Sequence, residues 1–107
     1  MSDAGEKAPG GAPVRVTRSA FKARVSALLA DGRVKVSLHL RRDHPERQIS
    51  LAQIERCLRL GTVQTDPYLN RFGNWQAEIY RHLAGEGLTV VAALEWERQI
   101  IVVTAYR

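Results

Sequence analysis

The sequence predicts an α+β fold: a mainly antiparallel sheet with a C-terminal three-stranded meander, and two or three helices packed on one face. Three observations carry this expectation. Two segments near 19–30 and 50–60 place apolar residues at helical spacing. Between them, "RVKVSLHL" alternates apolar and polar with a period of two. The last third holds three apolar-rich runs separated by short turn sequences, which favours antiparallel pairing.

Residues 1–13, "MSDAGEKAPGGAP", contain no aromatic or β-branched side chain and are read as a disordered tail. Residues 14–107 then form a single domain. The first helix is expected from Ser19 to Ala30, because Phe21, Val25, Leu28 and Leu29 recur on one face. Asp31-Gly32 ends it, with Gly32 free to take the left-handed cap conformation. In the strand that follows, Val34, Val36, Leu38 and Leu40 point one way, while Lys35, Ser37 and His39 point the other. Pro45 breaks any continuous helix from Leu40 onward.

The second clear helix starts at Ser50. Ser50 and Gln53 make a capping box, Ile49 and Ile54 occupy the positions of a hydrophobic staple, and Gly61 supplies the stop. Leu51, Ile54 and Leu58 are its expected buried stripe, and Glu55 with Arg59 its exposed ion pair. "TVQTDPYLNRFGN" reads as a loop with turns at Asp66-Pro67 and Gly73-Asn74. "WQAEIYRH", "LTVVAALEW" and "QIIVVTAYR" are the three strands, linked by "AGEG" and by a turn near Glu97-Arg98. The last is apolar on both faces near its middle, as a central strand would be.

Composition narrows the function. The chain carries a net charge of +5 over 107 residues. The tail holds Lys7 against Asp3 and Glu6, so the folded part carries +6. That excess points to a polyanionic partner: RNA, DNA or an acidic protein. Cys57 is the single cysteine, cannot pair within the chain, and reads as a buried thiol. No Cys/His spacing suggests zinc, no nucleotide loop or cofactor motif is present, and no segment approaches the length of a membrane span. The expectation is a cytoplasmic protein with no metal, no cofactor and no membrane contact.

Three groups of residues carry possible chemistry. "HLRRDHPERQIS" concentrates His39, Arg41, Arg42, His44 and Arg47 in twelve residues. Glu78, Tyr80 and His82 share one face of their strand by period two, as do Thr104 and Tyr106 of the last strand, with Arg107 following. A metal-free ribonuclease needs a base for the 2′-hydroxyl proton, an acid for the leaving oxygen, and cations for the charge that builds on phosphorus. His and Glu serve as acid or base, Arg as a fixed cation, and Tyr as a stacking surface or proton donor. The competing structural readings are a solvated connector, half-buried sheet tyrosines, and an ordinary cross-strand pair for Glu78.

The order and spacing of four elements resemble a known group. A His closing a strand (His39), "RQIS" opening a capped helix (Arg47 to Ser50), "GTV" after it (Gly61 to Val63) and a final "VVTAY" (Val102 to Tyr106) are similar to the bacterial domain-of-unknown-function family 4258. The likeness covers about two thirds of the chain, from Val34 to Tyr106. Two positions depart from the pattern: Asp43 stands where an Arg is usual, with Arg42 one place earlier, and Gln48 replaces a Gly. The resemblance implies kinship with the compact fold of RelE-like and barnase-like toxins, and marks His39, Arg47, Thr104 and Tyr106 as the catalytic group. Arg41, Arg42, His44, Tyr80 and His82 are then candidates for contacting nucleic acid. The expected function is a toxin-like RNA-binding or metal-independent RNA-cleaving module. The alternative is a non-catalytic module that meets an acidic or antitoxin-like protein through its basic face or a sheet edge.

Overall fold

Thr17 opens the first helix, α1 (Arg18–Ala30): its side chain accepts from the Ala20 amide at 3.0 Å. Asp31 caps the other end and Gly32 follows with φ of 70°, the expected left-handed stop. The computed structural model describes residues 11–37, 49–83 and 85–107. Within them lie β1 (Val34–Val36), α2 (Leu51–Leu60), β2 (Thr62–Val63), β3 (Tyr68–Leu69), β4 (Trp75–Leu83), β5 (Glu86–Glu95) and β6 (Gln99–Tyr106). Leu38, His39 and Leu40 of the expected early strand, and the whole of "RRDHPERQ", lie outside the described residues.

The capping box at Ser50 forms in full. The Ser50 side chain accepts from the Gln53 amide at 3.1 Å, and the Gln53 side chain accepts from the Ser50 amide at 2.8 Å. The buried face of α2 differs from the expected stripe. Leu51 is 47% exposed, and Cys57 takes the third place beside Ile54 and Leu58. Leu51 opens the helix, one turn short of the core, whereas positions 54, 57 and 58 stack at i, i+3 and i+4 over the sheet. Glu55 and Arg59 form no ion pair among the described residues.

The fold is α+β, with both helices and a six-stranded sheet of order β1-β6-β5-β4-β2, β3 also pairing with β4. The sheet is mixed rather than wholly antiparallel. β1 runs parallel to β6, Val34 opposite Ile100 and Val36 opposite Val102. β4, β5 and β6 pair antiparallel in chain order, and β6 sits inside the sheet between β5 and β1. The segment expected to be a loop contributes two short strands. β2 and β3 both pair with β4, Val63 opposite Ile79 and Leu69 opposite Trp75. Two-residue strands have too little periodicity to be seen in sequence; the exposed edge of β4 calls them into the sheet.

Phe21, Val25 and Leu28 of α1 and Ile54, Cys57 and Leu58 of α2 pack against Ala77, Ile79, Val90, Ala92, Leu94, Ile100 and Val102. The two helices are tied directly. Lys22 Nζ donates to the carbonyls of Leu58, Arg59 and Gly61 at 2.8–2.9 Å, satisfying the open C-terminal end of α2. Burial lowers the Lys22 pKa below its ordinary value, and the nearby Cys57 opposes that shift. The packing reaches back to Ala12, which is buried, and to Pro13, whose carbonyl accepts from Trp75 Nε1 at 3.0 Å.

Candidate functional site

Both helices lie on one side of the sheet, so its two faces differ. β4 turns Ala77 and Ile79 toward the helices and Gln76, Glu78, Tyr80 and His82 away from them. Pairing extends that outward set. Tyr80 lies opposite Thr89, and Thr89 opposite Tyr106, giving a row of three across β4, β5 and β6. Glu78, Val91 and Thr104 form the next row.

A β-bulge makes this possible. The register shifts between Val91, which pairs with Thr104, and Ala92, which pairs with Val102. Val103 is the extra residue. Strict alternation from Ile100 and Val102 would send Thr104 and Tyr106 into the core. Instead Ala105 is fully buried, and Tyr106 stands 37% exposed on the open face.

Side-chain hydrogen bonds join the rows. Tyr106 Oη donates to Glu78 Oε1 at 2.9 Å. That bond to the carboxylate raises the Tyr106 pKa above its ordinary value, helped by partial burial and by the Glu78 charge. Tyr80 Oη and His82 Nδ1 share a hydrogen bond at 3.2 Å. The Tyr80 ring lies across Gly87: a Cβ there would stand 2.5 Å from the Tyr80 hydroxyl oxygen and 2.9 Å from a ring carbon. Only glycine lets the ring lie flat on β5. Thr89 is buried between the two tyrosines.

Four of the residues picked out in the sequence, Tyr80, His82, Thr104 and Tyr106, therefore share one face, with Glu78 among them. They do not form a single cluster. Glu78 and His82 are four residues apart on one strand, about 13 Å between Cα atoms, too far to act together on one phosphorus. The arrangement is two pairs, Glu78–Tyr106 and Tyr80–His82. His39, Arg41, Arg42, His44 and Arg47 lie outside the described residues. Thr89 and Gly87 were not legible as site residues, since only the register places them beside the tyrosines.

At the other end of the open face is a groove of ≈ 680 Å³, lined by Ser37, Asn70, Phe72, Gln76, Ala93 and Val103 among others. Asn70 shapes its rim: its side chain accepts from the Phe72 and Asn74 amides at 2.9 and 3.1 Å and donates to Gln76 at 3.0 Å. Gln76 in turn donates to Tyr68 Oη at 2.7 Å. Tyr68 and Phe72 are exposed beside it, Phe72 at 73%, while Leu69, opposite Trp75, belongs to the other face.

Cys57 lies on the opposite, covered side. Burial raises its pKa, while the charges of Lys22 and Arg81 lower it less. Its Sγ is 3.5 Å from the carbonyls of both Ile79 and Leu88, so it stands as a structural thiol. Among the described residues no three His, Cys, Asp or Glu side chains group as metal ligands, and no helix is long and apolar enough to cross a membrane. A scan against protein-family models, a search of curated proteins and a search of solved structures each find no match to this chain.

Proposed function

We propose that this protein is a toxin-like RNA-binding and metal-independent RNA-cleaving module that works on the open face of its sheet. The reading takes β4 to β6 as a C-terminal three-stranded meander presenting the surface. The observation that carries it is the Tyr80–Thr89–Tyr106 row with Glu78 held by the Tyr106 hydroxyl. Aromatic side chains on an uncovered sheet give unpaired bases a platform, and each stacked base is worth roughly 1–3 kcal/mol. Glu78 removes the 2′-hydroxyl proton, and the freed oxygen attacks phosphorus to give a cyclic phosphate. The P–O5′ bond breaks, and the 5′-oxygen takes its proton from His39. Among the described residues this end of the face carries no arginine, so Arg47, with Arg41 or Arg42, supplies the phosphate-binding charge. Tyr106 holds the base, Thr104 flanks it, and His82 with His44 extends the contact. The work of such a module lies in the cytoplasm, where RNA is.

The test is single-stranded RNA binding and cleavage at low salt. Tyr80→Ala should weaken binding roughly 5- to 150-fold, the range set by one lost stack. Gly87→Ala, which lifts the same ring, should weaken it in the same direction. His39→Ala should abolish cleavage while binding persists. Wild-type protein with no affinity for RNA at low salt overturns the proposal. The exposed Phe72 on the groove and Tyr68 beside it favour a second reading, a docking surface for an acidic, antitoxin-like peptide. Titration with such a peptide decides it: Phe72→Ser should reduce binding, and equal binding by wild type and variant removes this reading.

A further inference from the structure

Three arginines converge behind the tyrosine row, on the covered side of the same end of the sheet. Arg81 lies between Tyr80 and His82 on β4, opposite Leu88, and so points to the helix side. Arg107 follows Tyr106, and Arg56 comes from the second turn of α2. With Gln53, Glu86 and Leu88 they line a pocket of ≈ 190 Å³. None of the three arginines makes a hydrogen bond or ion pair among the described residues. Arg18, by contrast, is bound to Asp66 at 2.8 Å, and Arg24 covers the Trp96 ring at 5.0 Å.

Like charges around a partly enclosed hollow repel, and an anion between them removes that penalty. The pocket is smaller than the roughly 300–1,000 Å³ of sites that enclose a whole drug-sized ligand, so it suits a head group with the rest of the molecule outside. Guanidinium forks match the paired oxygens of a tetrahedral phosphate. Leu88 gives the hollow one apolar wall, and the Glu86 carboxylate can accept from a hydroxyl of the attached alcohol. We infer that Arg56, Arg81 and Arg107 form a second site that binds the terminal phosphate of a phosphate monoester carried on a hydroxylated molecule. The site lies on the other side of the sheet from Tyr80 and does not depend on RNA cleavage there.

Titration calorimetry with uridine 5′-monophosphate tests it, with inorganic phosphate and uridine as companion probes. The nucleotide and phosphate should bind, and uridine should not. Arg81→Gln and Arg56→Gln should each weaken nucleotide binding at least tenfold, while Arg33→Gln, remote from the pocket, leaves it unchanged. Arg56 is exposed, so its variant retains the fold even if Arg81→Gln does not. Inorganic phosphate, which has no base to stack on Tyr80, should show the same losses with Arg81→Gln and Arg56→Gln, which separates this site from the RNA face. No binding of the nucleotide, equal binding of uridine, or equal loss with Arg33→Gln overturns the inference. Short RNAs then identify the source. Tighter binding of a 5′-phosphorylated strand than of its 5′-hydroxyl twin, abolished by Arg56→Gln, assigns the pocket to RNA ends. Equal binding of the two strands assigns it to small phosphate esters.

Discussion

The two faces of one sheet are built on opposite terms. The face under α1 and α2 is aliphatic and sealed: Ile79, Val90, Ile100 and Val102 are fully buried. The face on the other side carries hydroxyls, a carboxylate and an imidazole, and two tyrosines that reach solvent. Both sets come from the same strands, residue by residue, so stability and chemistry are separated by strand parity, reset once on β6 by the extra residue Val103. A substitution that moves one position along β4 passes from one regime to the other.

The largest expected effect breaks that comparison at the core. Ile79→Ala should destabilise the protein by about 2–5 kcal/mol in urea unfolding, since it empties a fully buried site. Val91→Thr on the open face should cost below about 1 kcal/mol. Similar losses at both positions would mean that the open face is packed against something in solution.

Next is Lys22→Met, which keeps the aliphatic stem but leaves three carbonyls without their donor. A loss of about 1–3 kcal/mol is expected, with faster amide exchange in the last turn of α2. A neutral effect would show that water caps the helix equally well.

The smallest effect sharpens the open face. Tyr106 has a raised pKa in the folded state, so between its unfolded and folded values the unfolded chain loses the proton first. Its contribution to stability is therefore complete below the ordinary tyrosine pKa of about 10 and is lost as pH rises through the folded value. Tyrosinate absorbance should show one late-titrating group that disappears in Tyr106→Phe and moves down in Glu78→Gln. An unchanged titration curve in Glu78→Gln would remove the hydrogen bond from the account.

Much of the fold could be read from residues close together in the chain. Phe21, Val25 and Leu28 announced α1, and Ser50, Gln53 and Gly61 marked both ends of α2, because caps and helical spacing are local. The parallel β1–β6 pairing and the short β2 and β3 were hidden, since they exist only through partners distant in sequence. The same division holds for the site. Glu78, Tyr80 and His82 were visible as one face of one strand. That Thr104 and Tyr106 join them depends on the extra residue Val103, and that the Tyr80 ring lies flat depends on Gly87 across the hairpin. Arg56, Arg81 and Arg107 are far apart in the sequence and meet only through strand pairing and the packing of α2 on the sheet.

Trp75 and Trp96 sit together at the end of the sheet remote from the tyrosine row. Trp75 begins β4, five residues before Tyr80 and about 16 Å away along the strand. Its indole is fastened to Pro13, and that of Trp96 lies beneath Arg24. The molecule therefore carries its own two-channel optical readout. Indole emission follows the seating of Ala12 and Pro13 against the core, while in a Tyr68→Phe variant the phenol absorbance of Tyr80 and Tyr106 follows occupancy of the exposed surface.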